Sequence, residues 1–274
     1  MVCVWSADGE PVLTLNGLQR GMTYAFWSPD GTMISTGNRF WRTDGTPVDR
    51  PKSPEGEAPA WWQRAVPNRR PDGTRGPTLK GPLPNMREWA WNPRNDWLAG
   101  ANWEDASVRI WDDQGNLVAK LEDHRGGVES VDWSPDGEWL VSGGGDSVRI
   151  WKPDGTPGPV MTGHTDEVYA VDWSPDGRWI ASASSDTTIR LWKPDGTPGP
   201  VLRGHHAGVH DIAWSPDSKR ITSIGWLDNT LHVWDIETGK AEWQVLEFAE
   251  NDTTVTLSPS GQPLHADQDT VESS

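Results

Sequence analysis

The stretch VDWSPDGRWIASASSDTTIRLW, residues 171–192, decides the fold because the chain repeats it with small changes. Residues 131–151 read VDWSPDGEWLVSGGGDSVRIW, and residues 212–234 read IAWSPDSKRITSIGWLDNTLHVW. The closing tryptophans Trp111, Trp151, Trp192 and Trp234 fall 40, 41 and 42 residues apart. A period near 40 marks one supersecondary unit used again and again. Within 152–192, KPDGTPG reads as a turn and PVMTG as a short strand. GHTDE is then a loop, VYAVDW a strand, SPDG a turn, RWIASAS a strand, and SD a corner before the last strand TTIRLW. Apolar and β-branched runs bounded by Gly, Pro and Asp carry that reading. Pro-Asp-Gly suits the turns, since Pro presets φ and Gly accepts a positive one. Four short strands form a small antiparallel sheet that cannot cover both its faces alone. Neighbouring sheets must therefore stack, and a closed ring protects the ends.

Composition agrees. Only 34% of the 274 residues are hydrophobic, but 20 are Trp, so few side chains can build the core. With 29 Gly and 23 Pro, turns are dense. No apolar run approaches the length of a membrane span, and the opening MVCVWSADGEP has neither a basic segment nor an apolar stretch, so it does not read as a signal peptide. Cys3 stands alone, which rules out an internal disulfide and favours a cytoplasmic location. The net charge of −16 opposes binding to a phosphate backbone. Its ordinary role is solubility, and its sharper implication is a preference for basic partners.

Four features of the 152–192 unit carry a family resemblance: Gly163-His164, the WSPDG turn from Trp173 to Gly177, the corner Asp186 and the closing Trp192. With them the chain resembles the WD-repeat β-propellers, and bacterial WD-repeat proteins in particular, where such propellers often accompany signalling or ATPase modules. The likeness is strong over 112–234, fair over 76–111, partial over 6–41 and weak over 235–274. The Trp-Asp pair itself survives only at Trp111-Asp112 and Trp234-Asp235. The expected fold is all-β, a single propeller of four-stranded antiparallel blades across 1–274. It has six blades, or seven if the Pro-rich segment 42–75 holds a degenerate blade and not an insertion. The N-terminal strand 2–5 is expected to close the ring by pairing with the last blade.

Three sets of residues look like nucleophilic triads: His124, Ser142 and Asp146; His164, Ser182 and Asp186; and His205, Thr222 and Asp228. Each is followed by a closing tryptophan, Trp151, Trp192 or Trp234. An enzyme needs one such site, so recurrence argues for structure. In the WD-repeat family these positions resemble a buried hydrogen-bonded chain that ties each blade together. The unit 76–111 departs from it, with Gly81-Pro82 for Gly-His and Ala99 at the hydroxyl position. His205, His206 and His210 form a string suggestive of zinc, but further ligands are not evident. No catalytic residue, metal site or cofactor is therefore assigned.

The resemblance implies a non-catalytic scaffold that docks a protein or peptide on the narrow face, not nucleic acid or membrane. Carried over by position, the ring residues are Arg87, Glu104, Glu129, Glu167, Tyr169, Ser185, His210 and Leu227. Gly127, Gly145, Gly208, Asn85, Gly21, Thr23, Asn251 and Thr253 complete it. Tyr169, His210 and Leu227 are the expected apolar anchor. Regular placement puts most tryptophans in the core and leaves Trp61, Trp62, Trp89, Trp103, Trp226 and Trp243. Of these Trp61-Trp62 is the expected contact within the insertion. The alternative is an enzyme or ligand-binding propeller with a site in the central channel. The chain is expected to be a monomer, or a partial array that associates.

Overall fold

The computed structural model describes residues 2–5, 11–15, 26–36, 39–44, 46–48, 70, 74–80, 86–225, 228, 230–247, 254–257 and 263–265. They are all-β, with strands and turns and no helix among them. Three sheets share one pattern. Met86–Trp91, Leu98–Asn102, Ser107–Trp111 and Leu117–Leu121 form one. Val128–Trp133, Leu140–Gly144, Ser147–Trp151 and Pro157–Thr162 form the next, and Val168–Trp173, Ile180–Ser184, Thr188–Trp192 and Pro198–Arg203 the third. These are the blades the repeats call for.

The sheet is not the sequence unit, however. Pro157–Thr162 opens the unit 152–192, yet it pairs with Ser147–Trp151 of the unit before. The reason is local: Lys152 N–H donates to the Thr156 carbonyl at 2.8 Å, closing a turn that folds the chain straight back along the strand it has left. Each blade therefore takes three strands from one unit and its outermost strand from the next.

The WSPDG turn shows why its residues recur. The Ser134 hydroxyl donates to the Asp136 carboxylate at 2.6 Å and accepts the Trp139 N–H at 3.0 Å. Gly137 holds φ at +72°, which an L side chain adopts only with strain. In the last copy Ser218 takes that place at +60°, and its hydroxyl accepts the Asp176 N–H of the preceding blade at 3.0 Å.

The core lies between sheets. The first strands Met86–Trp91, Val128–Trp133, Val168–Trp173 and Val209–Trp214 run side by side. Three of them, from Val128 onward, bury alternate residues with a doubled step. The next strands, Leu140–Gly144 and Ile180–Ser184, are buried throughout because sheets cover both their faces. Trp91, Trp111, Trp133, Trp151, Trp173, Trp192, Trp214 and Trp234 are buried as expected. Trp139 and Trp179 are half-buried, each under the ammonium of Lys152 or Lys193, 5.5 Å and 5.3 Å from the ring centre.

The ends of the chain differ from expectation. Val2–Trp5 pairs with Pro11–Leu15 in a two-stranded sheet, not with the last blade. The strands of 240–270 that it was expected to join continue the preceding sheet instead: Lys240–Glu247 is the fourth strand beside Thr230–Asp235, and Thr254–Leu257 and Pro263–His265 extend that sheet to six. Phe26–Trp27, Met33–Thr36, Arg39–Arg42 and Pro47–Val48 form a further four-stranded sheet. Its Trp27, Ile34 and Trp41 pack against Ile224, Leu231 and Val233 of the 209–247 sheet. Of the segment 42–75, the described part supplies the turn from Arg42 to Thr46 and the strand Pro47–Val48, and a second turn closed by Arg70 N–H on the Thr74 carbonyl. Trp61, Trp62 and the rest of 49–69 lie outside the described residues.

Candidate functional site

The three histidines come first because they resemble catalysis most. His164 Nδ1 lies 2.9 Å from Asp186 Oδ2, and its Nε2 lies 2.8 Å from Ser182 Oγ. Trp192 Nε1–H donates to the same Ser182 oxygen at 2.8 Å. One proton arrangement satisfies every group: Nδ1–H donates to the carboxylate, Ser182 donates to Nε2, and Trp192 donates to Ser182. Burial pushes the His164 imidazole down, keeping it neutral. Burial works to raise the Asp186 carboxyl, but the Thr188 hydroxyl, His164 and the Thr165 N–H outweigh it and hold it at about 2. Ser182 is fully buried with its oxygen saturated, so it has no free direction from which to attack a substrate.

The other two copies depart from the expected residues. In the 209–247 sheet the hydroxyl belongs to Ser223, which meets His205 Nε2 and Trp234 Nε1 at 2.7 Å each. Thr222 points elsewhere, buried with no partner for its hydroxyl. The corner between Ser223 and Trp234 is one residue longer than that between Ser182 and Trp192, which explains the displaced assignment. In the 128–162 sheet the corner is one residue shorter. Asp146 is consequently exposed, and His124 Nδ1 meets the Gly144 carbonyl at 3.2 Å instead. Ser142 keeps its part, 2.7 Å from His124 Nε2 and 2.8 Å from Trp151 Nε1. Burial, aided by Arg149, drives His124 down to about 4. In the 86–121 sheet, strand pairing puts Gly100, not Ala99, at the hydroxyl position, and the Trp89 ring lies against it. The ring also packs on Trp111 with centroids 5.5 Å apart.

Strand alternation places the corners 103–106, 145–146 and 185–187 and the loops 125–127, 165–167 and 206–208 on one rim. The WSPDG and KPDG turns lie on the other. On the first rim, Tyr169 and His210 of adjacent sheets are in ring contact, centroids 5.6 Å apart, both half-buried. Half-buried Ser185 packs on Gly208 of the next sheet. Arg87 Nε lies 3.6 Å from Glu129 Oε2. Burial raises the Glu129 carboxyl, and Glu167 and Glu88 add to it against the pull of Arg87. Glu104 is exposed in the corner 103–106. Leu227, with Gly21, Thr23, Asn85, Asn251 and Thr253, lies outside the described residues.

Positional reading missed Trp103 as a member of this rim. It is 47% exposed, yet held from three blades. A Cβ on Gly127 of the next sheet would run into its indole, so that position must be glycine for the ring to lie there. Its Nε1–H donates to Glu167 Oε1, two sheets on, at 3.4 Å, and the Arg87 guanidinium sits 5.7 Å from the ring centre. A signal was present in the sequence: Trp103 falls in a corner longer than those at 145–146 and 185–187, and the following loop carries the Gly126-Gly127 pair.

Below this rim, Asp132 Oδ2 accepts the Trp173 N–H of the next sheet at 2.8 Å, and Asp172 Oδ2 accepts the Trp214 N–H at 2.9 Å. The two carboxyl groups also hydrogen-bond each other. Burial lifts Asp132 to about 7, and burial plus the charges of Asp132 and Asp211 lifts Asp172 as well. Among the described residues no three His, Cys, Asp or Glu side chains group as metal ligands, the 205–210 histidines included. Nor is any helix there long and apolar enough to cross a membrane.

The family described as WD domain, G-beta repeat matches residues 76–112, 115–152, 155–193 and 196–235, together more than half of the chain. A 73-residue stretch, 26% of the chain, is 33% identical to an uncharacterized WD repeat-containing protein, sll1491, of Synechocystis sp. (strain ATCC 27184 / PCC 6803 / Kazusa). That match spans only 21% of the relative's own length. Repeat period, blade pairing, the His–Ser–Trp chains and the four matched segments agree, and the chain belongs to the WD-repeat family.

Proposed function

We propose that the protein is a non-catalytic scaffold that docks a protein or peptide on the rim carrying Tyr169 and His210. WD repeats generally mediate protein–protein interaction. The observation that carries the reading to this rim is the convergence there of Arg87, Trp103, Glu129, Glu167, Tyr169 and His210 from four successive sheets. Aromatic and arginine side chains held in place are the usual anchors of interfaces. The opposite rim is built from turns whose Ser and Asp side chains bond within themselves. The Ser–His–Asp sets support the non-catalytic part, since their hydroxyls are buried and spent on structure.

A photo-crosslinking residue at position 169, compared with one at the exposed Glu138 on the opposite rim, tests the assignment. Capture of a defined partner is expected at 169 and not at 138. Tyr169→Ala with His210→Ala is expected to abolish affinity capture without lowering the melting temperature by more than a few degrees. Equal capture from both rims, or capture unchanged by the double substitution, would sink the assignment.

A further inference from the structure

We infer that Trp103, Glu129 and Glu167 form a seat for an arginine side chain of the docked peptide, a seat that Arg87 occupies in the free protein. The inference rests on the docking reading above and names the partner's chemistry. An exposed indole is ordinarily loose, but this one is fixed by Gly127 beneath it and by its N–H on Glu167. A ligand meeting it loses little ordering entropy, which is what preorganisation contributes to affinity. The chain itself shows which group fits. The Arg87 guanidinium lies 5.7 Å from the Trp103 ring centre, within cation–π range, while its Nε faces Glu129. That pair is long, 3.6 Å against roughly 2.7–2.9 Å for a charged N–H to carboxylate bond, and Arg87 is 56% exposed. It is thus a weak occupant that a better-aligned guanidinium can displace.

Charge points the same way. Glu88 and Glu167 lie near half-buried Glu129 against the single charge of Arg87, and Glu104 and Asp166 are the chain neighbours of Trp103 and Glu167. A planar guanidinium can stack on the indole and meet two carboxylates at once, whereas an ammonium offers a point charge alone.

The probe is acetyl-Gly-Arg-Gly-amide, followed through the Trp103 indole N–H signal in NMR and assigned with Trp103→Phe. Saturable shifts are expected with the arginine peptide. The citrulline peptide, isosteric but neutral, is expected to produce none, and the lysine peptide to bind several-fold more weakly. Arg87→Ala should tighten binding, because the internal competitor is gone. Trp103→Ala, read through the peptide's own signals, and the pair Glu129→Gln with Glu167→Gln should each weaken it by roughly tenfold or more, with thermal melting confirming that the variants fold. Arginine binding that Arg87→Ala weakens, citrulline binding as good as arginine, or lysine equal to arginine would each overturn the seat. Failure here is separable from failure of the docking reading. If crosslinking at 169 captures a partner while the arginine peptide never binds, the seat falls and the rim stands. If the peptide binds but crosslinking at 169 captures nothing, the seat stands and partner docking over Tyr169 and His210 falls instead.

Discussion

Ser182 Oγ lies between two buried nitrogens, His164 Nε2 at 2.8 Å and Trp192 Nε1 at 2.8 Å, so removing one oxygen orphans both. Ser182→Ala is therefore expected to cost about 2–3 kcal/mol, read as a lower urea midpoint at unchanged slope. Ser223→Ala should cost a similar amount, because its oxygen makes the same two contacts. Thr222→Val should behave oppositely. The Thr222 hydroxyl is buried without a partner, so a methyl of the same shape should leave stability unchanged or raise it. If Thr222→Val costs as much as Ser223→Ala, the hydroxyl assignment is wrong. Asp146→Ala on the exposed corner should fall within about 0.5 kcal/mol of the parent. These contrasts mark how far the sequence could be read at this scale. His, Ser and Trp recur at spacings that announce a buried chain, and two of the three copies carry it through the expected serine. The corners differ by single residues, and on a strand one residue reverses the side-chain direction. Counting back from the corner therefore misplaced Thr222 and Asp146, whereas counting along paired strands finds Ser223 and Gly100.

Between elements, the inner strands are joined by carboxyl groups that pattern alone would have placed in solvent. Asp132 and Asp172 each accept a backbone N–H from the following sheet and share a hydrogen bond with each other. Facing them are Glu88 from the 86–121 sheet and Asp211 from the 209–247 sheet, both acidic. Burial holds the Asp132 carboxyl at about 7, well above its unfolded value of about 4. Across that window the folded chain binds more protons than the unfolded one, so stability falls as pH climbs from about 4 through 7. Asp132→Asn keeps an oxygen for the Trp173 N–H and an NH₂ for Asp172, yet carries no charge. The variant should show a flatter fall of Tm between pH 5 and 8 than the parent. An unchanged slope would show that the pair does not hold its proton. On the acid side His124, driven by burial to about 4, works in the other direction. Unfolded histidine takes up a proton near 6.5, so stability is lost as pH drops from there toward 4. Asp132 and Asp172 were readable as members of VDW repeats, but their pairing was not. It depends on two adjacent units both carrying Asp where the flanking sheets carry Ala90 and Ala213.

For the molecule as a whole, the three sheets from Val128 to Glu247 have both faces covered by neighbours, and stability should follow nearest-neighbour contacts along the stack. The period of 40 to 42 residues made that stacking legible, since one sheet of this size cannot bury its own faces. It did not reveal which sheet covers the outer face of the last regular one. The structure supplies Trp27, Ile34 and Trp41 against Ile224, Leu231 and Val233, a contact between segments far apart in sequence. Strands as short as Phe26–Trp27 and Pro47–Val48 are weak signals in a sequence, yet they place two buried tryptophans against the far end of the array. Ile34 is fully buried there, so Ile34→Ala should cost about 2–4 kcal/mol. The more telling effect is where the loss appears. Hydrogen exchange should quicken at the amides of Leu231 to Trp234, which the 26–48 sheet covers. It should change least at Val148 to Trp151, which are enclosed by other sheets. Exchange that quickens only within 26–48, leaving Leu231 to Trp234 as protected as before, would mean that the first sheet does not support the last in solution.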